Sequence, residues 1–285
     1  TLTICLVTAE VVGPVSNGGI GTAMTTLAHT LTAAGHKVTI LFTMGPVSQY
    51  GPFESWVEKY REQGIELIGL WRPGLRYIPR HLLETYEVYR VLRDRHFDVV
   101  HFHDYQGAGY YSLLAKTQGL AMHDVVTVIG LHGPNKWAKE EGNQEAINRV
   151  GDLEMDYMER RSVAMADHVV SPSRYLLGWM ARQGWPANSA SVVQPNVLPL
   201  ADRRSPSLGP RPEGPASPVV VDELVFFARL ETRKGVITFC DAIERLLSGQ
   251  SGEPSLTTQD AVLAKLKQVT FLGRGAMVHG KFGVH

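Results

Sequence analysis

The feature that most constrains this sequence is the order in which two periodicities alternate. Short apolar runs, the mark of strands buried on both faces, are separated by stretches whose apolar residues recur three and four apart, the mark of amphipathic helices. The runs are Leu2 to Thr8, Lys37 to Thr43, Ile65 to Leu70, Phe97 to His101, Val125 to Leu131, His168 to Ser171 and Ser191 to Val193. Between them the spacing predicts a helix at Thr22 to Ala34, with Ala23, Leu27, Ala28 and Leu31 on one face and Gly35 closing it. A second starts at Pro79 and carries Leu82, Leu83, Tyr86 and Tyr89. A long one covers roughly Glu145 to Ala166, with Val150, Leu153, Tyr157 and Ala164 at helical spacing, and another, marked by Leu176, Leu177 and Met180, ends near Gly184. Strand–helix alternation of this kind implies an α/β fold: a parallel sheet covered by helices on both faces.

The pattern breaks at Ala201. The stretch from there to Pro218 holds Pro206, Pro210, Pro212, Pro215 and Pro218 with Gly and Ser between them, which suits neither a helix interior nor a central strand. Strand, turn and helix resume at Glu223, and a further strand is expected at Gln268 to Leu272. Two strands and one or two helices bury too little apolar surface to make an independent core. The expected organisation is a domain at 1–200, a Pro-rich linker or loop at 201–220, and an incomplete second α/β domain at 221–285, the chain being a fragment of a longer protein. The alternative is a naturally short chain whose C-terminal unit packs onto the first domain.

Composition removes some functions. The 28 Lys and Arg balance the 28 Asp and Glu, so no net field attracts a polyanion and nucleic acid is a poor partner. Two isolated thiols, Cys5 and Cys240, make neither a disulfide framework nor a zinc site and read as buried, reduced residues. No apolar run approaches the length of a membrane span, and the chain opens directly on a strand, from which a cytoplasmic location is expected.

Four places could carry chemistry. Arg229 and Lys234 lie on the turn that follows Leu224 to Ala228, just before a helical pattern, where two cations and helix amides suit a pyrophosphate without a metal. Far away in sequence, Ser16 to Thr22 is rich in glycine, and Gly18 and Gly19 could point successive amides at an anion. This loop is not a dinucleotide fingerprint, because Met24 stands where the third glycine should be, and it has no Lys-Ser/Thr pair of a Walker loop. If the two turns face each other, they make a cleft between two domains. His132 ends the apolar run at 125–131 and could bond a sugar hydroxyl or phosphate, or satisfy local backbone instead. His101 and His103 alternate onto one face with Asp104 at the turn; without a third ligand nearby, a structural or acceptor-contacting role outweighs a metal site. A fifth segment, Trp71 to Arg95, mixes aromatics with cations and could touch an anionic lipid or a glycan. Glu84, Glu87 and Asp94 dilute its charge, so a solvated helix face is the ordinary explanation.

Taken in order, these pieces resemble the retaining GT-B glycosyltransferases, specifically glycosyltransferase family 4 and its relatives the glycogen and starch synthases. The resemblance covers the whole chain as a Rossmann-like N-terminal domain plus the opening of a C-terminal one. Gly18-Gly19-Ile20-Gly21 looks like the family's glycine-rich loop facing the donor diphosphate, and Val99 to Tyr105 like its HxHD strand end. Asp167 to Ser173 and Gln194-Pro195-Asn196-Val197 resemble two further family segments. What the resemblance implies is transfer of a sugar from a nucleotide diphosphate sugar to a carbohydrate or other hydroxyl acceptor, with retention and by a front-face mechanism. It places His132 beside the transferred sugar and Arg229 and Lys234 on the donor phosphates. The acceptor is expected on the N-terminal domain near His103, Asp104 and Trp137, and no cofactor or metal is implied. Ser16-Asn17 stands where glycogen synthases carry a lysine, which argues against glycogen or starch synthesis as such. The family's paired glutamates and base-binding strands would lie beyond His285, so this chain by itself is expected to bind donor poorly and to be an inactive fragment. Two other classes remain open: a non-catalytic carbohydrate-binding or interaction module on the same scaffold, and, third, a nicotinamide oxidoreductase, which the glycine pattern disfavours.

Overall fold

All seven expected runs up to residue 193 enter one sheet. In the computed structural model, which describes residues 1–71, 77–186, 190–197, 222–248, 266–275 and 278, these are β1 (Thr3–Thr8), β2 (Lys37–Phe42), β3 (Ile65–Gly69), β4 (Val99–His103), β5 (Val126–Gly130), β6 (His168–Ser171) and β7 (Ser191–Val193). They run parallel in the order β3-β2-β1-β4-β5-β6-β7. Leu6 lies between Ile40 on one neighbour and His101 on the other. The β1 residues from Ile4 to Thr8 and the β2 residues from Val38 to Phe42 are all buried, as expected of strands with helices above and below. The expected linker at 201–220, and Arg72 to Arg76 of the aromatic and cationic segment, lie outside the described residues.

The helices are α1 (Gly19–Ala33), α2 (Phe53–Glu62), α3 (Arg80–Arg93), α4 (Tyr110–Thr117), a three-residue α5 (Asn135–Trp137) that continues as a π-helical turn over Ala138–Asn143, α6 (Val150–Met165) and α7 (Arg174–Arg182). α1 begins at the glycines, three residues before the expected start, with Gly18 as its N-cap. It closes at Gly35, whose φ of +86° lets the amides of Gly35 and His36 return to Thr32 and Leu31. Its Met24 and Ala28 pack with Ile4, Leu6, Ile40, Phe42 and Phe53 into the main core. Each such large apolar side chain contributes about 1.5–3 kcal/mol on burial.

The structure differs from the sequence reading in four places. β4 is regular only from Val99, two residues after the expected start, although the Asp98 backbone already bonds to Thr3 and Val126 on either side. The Asp98 carboxylate accepts the Thr3 amide at 2.6 Å and hydroxyl at 2.7 Å and anchors the head of β1. The strand then runs on to His103, opposite Gly130. Helices α2 and α4 were not anticipated. α2 does carry end signals, Pro52 at its N-cap, Glu54 in the first turn and Lys59 and Arg61 in the last. In α6 the stripe picked out by spacing is the exposed one: Val150, Leu153 and Tyr157 face outward, and Asp152, Met158, Glu159, Ser162 and Val163 are buried. Cys5 is buried as expected, and desolvation pushes its thiol up to about 12, whereas Cys240 is exposed.

Compactness divides the chain into two units, Thr1–Asn135 with Asn148–Leu200, and Lys136–Ile147 with Ala201–His285. The segment Lys136–Ile147, inside the expected first domain, thus groups with the second unit. That unit has two parallel strands, β8 (Glu223–Phe227) and β9 (Gln268–Leu272), and α8 (Val236–Ser248). Its core is small: Phe226, Leu230 and Val236, with the Phe239 ring tilted against Phe226 at 5.3 Å and edge-on to Phe271 at 5.6 Å. Among the described residues no helix is long and apolar enough to cross a membrane.

Candidate functional site

The first unit gathers its chemistry at the C-terminal ends of β4 and β5, where a parallel sheet turns its loops toward ligands. β4 ends at His103 and passes into Asp104, which is fully buried. One Asp104 oxygen accepts the His132 amide at 2.8 Å and the other the Gly133 amide at 3.2 Å. Burial pushes its carboxyl up to about 7, against the lowering effect of the amides of His132, Gly133 and Tyr105. This corrects the expectation that Asp104 touches the acceptor. A carboxylate with no exposed surface, both oxygens bonded to backbone, holds the turn that bears His132.

Three histidines crowd the same edge, and burial keeps all of them neutral. His101 and His132 are pushed down to about 4 and His103 to about 3. The neighbouring His132 lowers the other two further, and for His103 the Tyr105 backbone works the other way without prevailing. The His101 ring lies over β5 where a side chain on Gly130 would place its Cβ 2.5 Å from Nε2, so only glycine fits there. His101 and His132 border a cavity of about 320 Å³ that is otherwise lined mainly by apolar side chains such as Ile4, Met24, Leu27 and Val170. His132 is only partly buried, and a neutral imidazole there can give or take a hydrogen bond. His103 is buried, and among the described residues neither ring nitrogen has a hydrogen-bond partner in good geometry. It too departs from the expected acceptor contact, since a side chain only 2% exposed meets no bulky acceptor. Among the described residues no group of three His, Cys, Asp or Glu side chains is spaced to hold a metal ion.

At the glycine turn the anion already has a stand-in. Glu10, eight residues before the turn, accepts the Gly18 amide at 2.7 Å and the Gly21 amide at 3.3 Å through one oxygen. The turn is built around it: a Cβ on Gly21 would meet the Glu10 Cβ at 2.9 Å and the Asn17 Cβ at 2.7 Å. The expectation of an open Gly18 amide is therefore corrected, because the carboxylate satisfies it and sits in the positive field of the α1 N-terminus. Beside Gly19 there is open space within 4 Å of where a Cβ would stand.

In the second unit, β8 leads through a 3₁₀ turn at Thr232–Lys234 to Gly235, at φ +80°, and into α8. Glu231, buried at this turn, accepts Arg233 Nε at 2.8 Å and lies 3.4 Å from Arg229. Arg229 remains about half exposed. Lys234 is exposed, and among the described residues it makes no ion pair. The π-helical turn at 138–143 belongs to this unit and packs close on it: a Cβ on Gly142 would lie 3.1 Å from the Arg233 Cδ. Trp137, expected with His103 and Asp104, belongs to this unit too.

The sequence reading singled out the cations, the glycines and His132, and passed over three acids that bond to them or to the turns beside them: Glu10, Glu159 and Glu231. Glu231 stands inside the cation turn, and its spacing to Arg229 and Arg233 was there to be read. Glu10 and Glu159 had no local signal.

The seven-stranded parallel sheet flanked by helices is the Rossmann-like fold of GT-B enzymes. Residues 18–196 match the family described as glycosyl transferase 4-like domain, and the chain belongs to that family. Among solved structures, the catalytic domain of starch synthase IV from Arabidopsis thaliana, bound to ADP and acarbose, matches with a TM-score of 0.55 at 13% identity, over 97% of this chain and 75% of that one. MurG from Acinetobacter baumannii matches with a TM-score of 0.44 at 14% identity, over 95% of this chain and 66% of that one. At 13% identity the likeness to the starch synthase domain shows the fold alone. No curated protein sequence matches this one.

Proposed function

We propose that this chain is part of a retaining glycosyltransferase that moves a sugar from a nucleotide diphosphate sugar to a hydroxyl acceptor on a glycan or small molecule. The observation that carries the reading is the turn at 229–234. Arg229 and Lys234 keep solvent-facing charge at the C-terminal end of a parallel strand, beside the start of a 13-residue helix. Membership of the glycosyl transferase 4-like family supports it. As the sugar departs, negative charge builds on the leaving diphosphate, and fixed cations stabilise that charge more than the ground state. Arg229 and Lys234 take this role. Gly19, at the N-terminus of α1, is the better candidate of the glycine pair for a phosphate contact, since Gly18 is engaged by Glu10. His132, neutral and half-buried, holds a sugar hydroxyl, and its turn is kept in place by Asp104. Departure and attack on the same face would retain the anomeric configuration. The chain spans three quarters of the starch synthase domain it resembles, so donor, acceptor and activity of the whole protein belong to this proposal.

The test is transfer from UDP-, ADP- and GDP-glucose to a panel of hydroxyl acceptors by the full-length protein and its His132→Ala variant, with the product anomer read by NMR. The expected result is turnover with one donor and an α-linked product. In the variant, transfer should fall by about 10²–10⁴-fold, the range of a lost catalytic contact, with nucleotide affinity changed only modestly. Equal activity in the variant returns His132 to a structural role. Glycan binding that no nucleotide sugar alters, without turnover, makes the protein a carbohydrate-binding module instead.

A further inference from the structure

Glu159 is fully buried in the middle of α6, and its carboxylate reaches two turns that are distant in sequence. One oxygen accepts the Gln106 amide at 2.7 Å and the Asn135 amide at 2.9 Å, and the other lies 3.0 Å from the same Asn135 amide. Gln106 belongs to the turn after β4, and Asn135 ends the turn after β5. Among the described residues no cation pairs with Glu159, and burial holds its carboxyl well above the usual carboxylate range in spite of these amides. A buried acid without a counter-ion is expensive to keep, so its geometry needs a reason.

The packing around it supplies one. Gln106 has φ +62°, a left-handed backbone that non-glycine residues seldom adopt, and Gly107 follows at φ +63°. A Cβ on Gly107 would lie 2.7 Å from the Met158 Cβ, so α6 is pressed directly onto this turn. Asp104 acts from inside the same turn on the backbone of His132 and Gly133. Four amides of two turns are thus fixed by two buried carboxylates, one of them brought in by a helix. We propose that Glu159 is a positioning residue: with Asp104 it locks the turns after β4 and β5 into one arrangement and so sets where the His132 ring stands. Its effect on catalysis rests on the sugar-transfer reading above. The lock itself does not.

The experiment is amide hydrogen exchange, resolved by NMR, on the protein and on Glu159→Gln, a variant of the same shape that retains one carbonyl acceptor. In the unaltered protein the Gln106 and Asn135 amides should exchange slowly, as bonded and buried amides do. In Glu159→Gln, exchange across residues 104–107 and 131–135 should rise about tenfold or more, because one acceptor oxygen becomes an NH2 donor facing the same amides, while β1 and β2 keep their protection. In the transfer assay kcat should fall about 10- to 100-fold with KM for the nucleotide sugar nearly constant, the mark of a misplaced group rather than a lost binding contact. Fast exchange at Gln106 and Asn135 in the unaltered protein overturns the proposal even if the variant does not fold. So does a folded Glu159→Gln with unchanged exchange in both turns, or one whose defect lies in KM alone. Absence of transfer in the unaltered protein would sink the sugar-transfer reading and leave the exchange result to decide the lock.

Discussion

Two turns in this molecule look alike in sequence and differ in what they leave open. The glycine turn at 18–21 and the cation turn at 229–234 each follow a strand and precede a helix, and both suit an anion on that ground. In the first, Glu10 already occupies the amide donors, so the local field is satisfied from within the chain. In the second, an acid is present as well, but Glu231 serves Arg233 and approaches Arg229 while Lys234 stays out in solvent. A motif gives the donors and the fold decides whether they are already taken. By this comparison the cation turn, rather than the glycine turn, carries the unsatisfied charge.

The largest effect expected of this contrast is at Lys234. If its charge stabilises a departing diphosphate, Lys234→Ala lowers kcat/KM by about 30- to 1,000-fold, equivalent to roughly 2–4 kcal/mol. An unchanged kcat/KM would remove Lys234 from the site and, with it, the difference drawn between the turns. A second measurement turns to the buried histidine edge. His103 is pushed down to about 3 by burial, so below the unfolded value near 6.5 the unfolded chain takes up a proton that the folded one refuses, and stability is lost as pH falls toward 3. Asp104, pushed up to about 7, works in the opposite sense between pH 7 and 4, because there the folded state takes the proton. The difference between proteins therefore isolates the histidine. The loss of unfolding free energy between pH 7 and pH 5 should be about 2 kcal/mol smaller in His103→Leu than in the unaltered protein, read by urea denaturation at both pH values. Equal losses mean that His103 is not held neutral. The smallest effect sharpens the view of the glycine turn as internally satisfied. Glu10→Ala, by removing a charged acceptor from a partly exposed site, should lower stability by about 1–2 kcal/mol at neutral pH. A variant as stable as the parent would show that the carboxylate does not hold the turn.

Much of the fold could be read in advance because its strands are buried on both faces and announce themselves as apolar runs. β6 and β7 were placed to the residue, and β2, β3 and β5 within one residue at either end. The failures share a cause. α6 was recognised as a helix, yet its apolar spacing marked the wrong face, because the inward positions include Asp152 and Glu159, acids that bond to groups brought in by other elements, Glu159 to the Gln106 and Asn135 backbone amides and Asp152 to the Asn135 side chain. Asp104 and Gly18 were legible as polar groups at strand ends, but their partners lie 28 and 8 residues away, and no periodicity encodes such a pairing. His132 was visible in the sequence because it ends a buried strand. Its setting in the structure, the amide bond to Asp104 and the ring left half-buried, was not.

By itself the sequence determined the parallel order of strand and helix, the positions of the strand ends, and the turns on which His132, Arg229 and Lys234 stand. These follow from local apolar spacing and from the length a crossover needs. Only the tertiary structure decided which charges are satisfied within the chain: Glu10 by the amides of the glycine turn, Asp104 and Glu159 by those of the turns after β4 and β5, Glu231 by two arginine side chains. The reason is that a carboxylate's role depends on which donors come within about 3 Å and on how much water is excluded, and both are set by folding rather than by neighbours in sequence.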